Sequence, residues 1–172
     1  AYRVSAGTNS AYILTDCGQS CAYDYITEVK HATGSAGTVK NVSGGFTIPA
    51  LDNKKGFFAI NNAVEALAYI HPNLYIVENT GSGQPNKKRL YKLDVTDATA
   101  VAATATGGGW QLVGALSQSV GNVGGMTVKS GKLFLAESTA DVVHTVQTDG
   151  TYEGSFSLLA AGTFVTPGGL EG

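Results

Sequence analysis

Three stretches of the chain repeat one arrangement of apolar and polar positions: SAYILTDCG at 10–18, NLYIVENTG at 73–81 and KLFLAESTA at 132–140. Each has a polar lead-in, four strand-forming positions and then an acidic residue, Asp16, Glu78 or Glu137, before a small polar turn. A second apolar run follows each at a similar offset: YITEVKHATG at 25–34, RLYKLDVTDA at 89–98 and VVHTVQTDGT at 142–151. The last ends in Asp149-Gly150, a strong turn dipeptide. A further short run precedes each repeat: AYRVSAG at the amino terminus, VEALAYIHP at 64–72 and GGMTVKSG at 124–131. An outer fourth strand is expected near Thr38–Val42, near Val101–Thr104 or Gln111–Leu116, and at Tyr152–Leu158. Each repeat therefore predicts an antiparallel meander of about four strands.

A sheet with apolar residues on both faces cannot bury itself, so neighbouring sheets must stack face to face. Radial stacking of such meanders is a β-propeller. The expected architecture is all-β, a single propeller segment over 1–172 with about three blades, half of a six-bladed ring. Blade 1 covers about 1–62, blade 2 about 63–122 and blade 3 about 123–166, and 167–172 begins a fourth. Repeats near sixty residues exceed the usual ~40–50 per blade, which implies long insertions. These are placed at 44–62, 80–88 and 107–122.

The third repeat, GGMTVKSGKLFLAESTADVVHTVQTDGTYEGSF, resembles a blade of the NHL or SMP-30/gluconolactonase type. The shared features are a Gly entry, a strand ending in Ala-Glu-Ser and a second strand ending in Asp-Gly. The likeness runs well over 124–156, less so over 64–97 and least over 1–43. It departs at Ala140-Asp141, where the family commonly has Asn-Arg, and at Asp16, which leads into a cysteine loop. The lactonase branch implies a divalent cation, commonly calcium, held by carboxylate and Asn oxygens. Glu78 with Asn79 is the pair best suited to that, since hard cations prefer oxygen ligands.

Charged residues make up 14% of the 172 and hydrophobic ones 43%, with 23 glycines. That balance suits an all-β domain of extracellular type. A net charge of −2 leaves no basic face for phosphates, so nucleic acid is not an expected partner. No apolar run reaches the ~20 residues of a membrane helix. The chain starts at Ala1 rather than Met, as after processing or excision. Cys17 and Cys21 are three residues apart in a Gly/Ser loop, where a local disulfide is expected. Asn41 opens a glycosylation sequon. Together these place the protein outside the cell or at its surface.

A carboxylate closing a strand in every repeat also has a purely structural use, accepting backbone N–H bonds of the adjoining turn. His31, His71 and His144 show no zinc spacing and read as hydrogen-bonded or surface residues. No G-x-S-x-G elbow or phosphate loop occurs. GSGQPNKK, followed by Arg89, reads as an exposed loop made basic by Lys87, Lys88 and Arg89. Trp110, after three glycines, suits stacking on a glycan or a partner, as do Tyr residues on the rim, but packing against a neighbouring blade is the favoured reading of it.

Half a ring leaves two apolar blade faces in water, more than a soluble monomer tolerates. The expected function is therefore association without catalysis. Partners would be a second copy or the remainder of a longer or cleaved chain, docking near Ala1, Tyr2, Val4 and Leu170. A fragment of a calcium-dependent lactonase-like hydrolase and a glycan-binding propeller are the alternatives.

Overall fold

The computed structural model describes residues 2–6, 10–15, 23–30, 47–52, 64–78, 88–103, 108–117 and 119–158. They form three four-stranded antiparallel sheets, each a meander in chain order. The first contains β1 (Tyr2–Ala6), β2 (Ser10–Thr15), β3 (Tyr23–Lys30) and β4 (Thr47–Asp52). The second contains β5 (Val64–Ile70), β6 (Asn73–Glu78), β7 (Arg89–Asp94) and β8 (Gln111–Ala115), with helix α1 (Ala98–Ala103) between β7 and β8. The third contains β9 (Val123–Lys129), β10 (Lys132–Glu137), β11 (Val142–Gln147) and β12 (Tyr152–Ser157). The first strands lie side by side, β5 touching β1 on one hand and β9 on the other. The architecture is an all-β, propeller-like partial fold.

Strict alternation in the second sheet explains why it is buried on both faces. Leu74, Ile76, Tyr91 and Leu93 share a cluster with Tyr12 and Ile26 of the first sheet. Tyr75, Val77 and Leu90, one residue out of phase, pack with Met126, Leu133, Leu135 and Val146 of the third. β6 thus has five buried residues in a row, the signature of a strand covered on both sides.

Turn chemistry sets the register of the third sheet. Ser130 (φ 51°) and Gly131 (φ 74°) make a two-residue turn that brings Lys129 opposite Lys132. The Asp149-Gly150 turn forms as expected: Gly150 has φ 89°, and Asp149 Oδ1 accepts from the Thr151 N–H at 2.9 Å.

Three expectations require correction. The fourth strand of the first sheet is Thr47–Asp52, inside the stretch read as an insertion, while residues 38–42 lie outside the described residues. The stretch read as a 107–122 insertion contains β8, so of the two positions offered for the fourth strand of the second sheet only the one at Gln111 is a strand. At the other, residues 98–103 are helical. There Asp97 Oδ1 accepts from the N–H groups of Thr99 and Ala100 at 2.8 and 3.1 Å, an N-cap on an alanine-rich segment. Ala100 and Val101 then pack on the core between the first two sheets.

The acids, third, also fall differently from expectation. Tyr12 faces the second sheet as Tyr75 faces the third, and each is the third residue of its strand. On that register the position of Glu78 and Glu137 is occupied in the first sheet by Thr15, not Asp16, which lies outside the described residues. A slip of one residue reverses every face of a strand, so among the described residues Glu78 and Glu137 are the acids at equivalent places.

Candidate functional site

The site is the edge where β6 and β10 end. Glu78 pairs with Val64 at the start of β5 and with Arg89 at the start of β7. Glu137 pairs with Val123 at the start of β9 and Val142 at the start of β11. In both sheets the first strand bulges directly beside the acid, between Val64 and Ala66 and opposite Ala136 and Glu137. This edge also carries the 116–122 connection from the second sheet into the third.

Similar placement has produced different environments. Glu137 is held from several sides. Its Oε2 accepts from the Gly121 N–H at 3.0 Å and from His144 Nε2 at 2.9 Å, and its Oε1 accepts from Thr139 Oγ1 at 3.3 Å. His144, buried, completes the chain through Nδ1, which in the neutral ring accepts from the Tyr152 hydroxyl at 3.3 Å. Burial works to raise the Glu137 pKa, but the hydrogen bonds of His144, Gly121 and Thr139 outweigh it and hold the carboxyl below its ordinary range. One carboxylate therefore ties β10, β11 and the intersheet connection together. The expectation of His144 as a hydrogen-bonded structural histidine agrees with this.

Glu78 is fully buried and only half satisfied. Both of its partners meet Oε2: the Tyr91 hydroxyl donates at 3.3 Å and Arg89 Nε lies 3.5 Å away. Oε1 is buried and has no hydrogen-bond partner among the described residues. Burial pushes the Glu78 carboxyl above the usual carboxylate range, against the lowering pull of Arg89 and of the Tyr91 hydrogen bond. Burial, and then the Glu78 charge, likewise raise Tyr91. A carboxyl with a raised pKa and a free buried oxygen can take up a proton, a cation or a hydrogen-bond donor. Asn79, its expected companion for calcium, lies outside the described residues. Among the described residues no three His, Cys, Asp or Glu side chains gather as a metal cluster.

Lys88, expected as an exposed loop base, is instead buried, its Nζ donating to Asn122 Oδ1 at 2.9 Å across to the connection that leads into β9. The Leu116 N–H adds a bond to the Lys88 carbonyl at 2.7 Å. A long aliphatic stem makes such burial possible, and the charged end finds an amide oxygen. Arg89 is the partly exposed partner of Glu78, and Lys87 lies outside the described residues. Nothing in the local sequence distinguished Lys88 from Lys87, because the acceptor is 34 residues away.

For Trp110 the stacking reading is overturned and the packing one holds. Only 5% of it is exposed, in the core with Tyr12, Ile26 and Leu74, so its ring is no stacking platform for a glycan. Packing against the neighbouring sheet, the other reading of that residue, is what the structure shows. Cys17, Cys21, Asn41, Ala1 and Leu170 lie outside the described residues, and Tyr2 and Val4 are placed as backbone positions of β1.

Gly121 shows how closely the Glu137 arrangement is built. A methyl group there would collide with the Glu137 carboxylate. Gly121→Ala is expected to destabilise by about 1–3 kcal/mol, the size of an overpacked contact. Combined with Glu137→Gln it should cost clearly less than the two single changes added together, because both disrupt one contact. Urea melts of the four proteins test this; additive costs would show that Gly121 and Glu137 act separately.

No protein-family model matches the chain, and no curated protein matches it. Solved structures do. The chain is similar to a structural-genomics protein of unknown function from Bacteroides thetaiotaomicron, at 15% identity and a TM-score of 0.55, covering 88% of this chain and 32% of that one. It is also similar to a prolyl endopeptidase that has a propeller domain, at 14% identity and a TM-score of 0.50, covering 92% of this chain and 20% of that one. The chain thus spans about a third of the first structure and a fifth of the second. At such identities the likeness concerns the fold, and it supports a β-propeller-like one.

Proposed function

We propose that this protein is a non-catalytic propeller module of the cell exterior or cell surface, acting by association through its outer sheets. The observation that carries this reading is the unequal burial of the sheets. The second sheet is covered on both faces by its neighbours. The third is packed against the second on one face, and its other face carries Phe156 at 50% exposure. An edge sheet of this kind gains from a cover, at roughly 25 cal/mol per Å2 of apolar surface removed from water. The repeats are read within this proposal as of the NHL or SMP-30/gluconolactonase kind. A disulfide between Cys17 and Cys21 and a glycan on Asn41 belong to the same extracellular reading. Light scattering of the purified chain tests it. A mass above 17.6 kDa, or a stoichiometric companion carried through purification, is expected; a well-folded monomer that binds nothing is incompatible with it.

One observation favours a second reading, a fragment of a calcium-dependent, lactonase-like hydrolase: the buried, unpartnered Oε1 of Glu78. Glu78 would hold the cation with Asn79, and the cation when bound would polarise an ester carbonyl. Calcium should then raise the melting temperature of the wild type and leave Glu78→Gln unmoved. Equal melting with calcium and with chelator would remove this reading.

A further inference from the structure

Among the described residues, His144 is the histidine whose two ring nitrogens are both hydrogen-bonded, and its two partners differ in chemistry. Nε2 meets the Glu137 carboxylate at 2.9 Å, and Nδ1 meets the Tyr152 hydroxyl at 3.3 Å. An ionised carboxylate only accepts, so it keeps the ring proton on Nε2 and leaves the Nδ1 lone pair aimed at the phenol. Hydroxyl, imidazole and carboxylate in this order are the parts of an activated nucleophile. A base stands beside the hydroxyl, and a third group orients the base and faces the charge it acquires.

The fold holds these parts in place. Val146, two residues beyond His144 on β11, belongs to the core between the second and third sheets; Tyr152 pairs with it in register and packs on the same cluster. The His144 and Tyr152 rings stand 5.8 Å apart, tilted by 49°. His144 is buried and Tyr152 half-buried on the outer strand, so the base is shielded from water while the phenol is not wholly enclosed. The other tyrosines whose surroundings are described lack this combination. Tyr12, Tyr75 and Tyr91 are buried, and Tyr91 donates straight to Glu78. Tyr69, half-buried like Tyr152, bonds to His71 Nδ1 at 2.8 Å, but His71 is exposed and has no carboxylate hydrogen-bonded to it among the described residues.

We propose that Tyr152 is an activated phenol that accepts an electrophilic acyl or sulfonyl group, with His144 as its base and Glu137 as the positioning residue behind the base. In that step Tyr152 Oη forms a bond to the electrophilic carbon or sulfur, and the bond from that atom to the leaving group breaks, its electron pair going with the leaving group. The phenolic proton passes to His144 Nδ1, and Glu137 faces the resulting imidazolium. This site lies within β10–β12 and stands apart from the association reading.

Benzenesulfonyl fluoride is the probe: the S–F bond breaks, fluoride leaves and the aryl sulfonate stays on the oxygen. Peptide mass spectrometry of the folded chain should find Tyr152 labelled about a hundredfold faster than Tyr69, the lower end of what general-base assistance supplies. In urea the two should react alike, because the relay exists only in the fold. Glu137→Gln should slow Tyr152 about tenfold or more and leave Tyr69 unchanged, since an amide there can hold the ring in the wrong tautomer. His144→Gln should do the same. Circular dichroism checks the folding of each variant; if His144→Gln does not fold, Glu137→Gln and the comparison with Tyr69 still decide. A purely structural network predicts the opposite sign, because loosening β12 would expose Tyr152 and speed its labelling. Tyr152 reacting no faster than Tyr69 in the folded chain, or undiminished in Glu137→Gln, overturns the proposal.

Discussion

Replacing Ile76 by alanine should cost about 2–5 kcal/mol, the range for large-to-small changes in a packed core. Ile76 is fully buried in the middle strand pair of the middle sheet and faces the cluster that holds the first sheet. The lost methyl groups remove contacts with Leu74 and Tyr91 on its own sheet and loosen the seat of Tyr12 and Ile26. A cavity at that place cannot collapse easily, because the other face of the same strand is clamped through Tyr75 and Val77. Leu112→Ala, on a side chain 58% exposed, should stay within about 0.5 kcal/mol. Chemical denaturation of the two variants measures the contrast. Comparable losses would mean that the middle sheet is not the one sandwiched.

The second large effect is a difference of sign between the two acids. Glu137→Gln should destabilise by about 1–3 kcal/mol at neutral pH, since the Gly121 N–H, His144 and Thr139 lose a charged acceptor. The Glu137 pKa is lowered on folding, so its contribution is present above the unfolded-state pKa and is lost as pH falls through the folded one. The penalty of the variant should therefore shrink in acid. Glu78 behaves oppositely. Its pKa is raised on folding, so the folded state favours the protonated form, and stability declines as pH climbs from the unfolded to the folded pKa. Glu78→Gln should match the wild type in acid and equal or exceed it above that window, with Arg89 left half in solvent. Melts from pH 3 to pH 8 on both variants decide this. Parallel pH profiles for the two would show that the acids share one role.

Glu78 and Glu137 look alike in sequence, each closing an apolar strand. Their separation into a structural tie and a half-satisfied buried acid depends on partners remote along the chain. Gly121 is 16 residues from Glu137, and its N–H arrives from the connection between sheets. The candidate site was thus legible as two positions, Glu78 and Glu137, but not as two roles. The third, Asp16, lies outside the described residues, and the place matching Glu78 and Glu137 in β2 is that of Thr15.

Local pattern by itself determined the meanders. Apolar runs bounded by the His71-Pro72, Ser130-Gly131 and Asp149-Gly150 turns specify β5, β6 and β9–β12 nearly to their ends, because pleat and turn act within a few residues. Low charge and twofold-faced strands also made stacked sheets necessary. Tertiary structure decided the rest. Residues 98–103 became a helix because Asp97 caps it and the core receives Ala100 and Val101, and Trp110 and Lys88 went inside because a neighbouring sheet or connection stood ready to cover them. Burial and desolvation are properties of what lies opposite a residue in space, and a single strand's sequence carries no record of its neighbour.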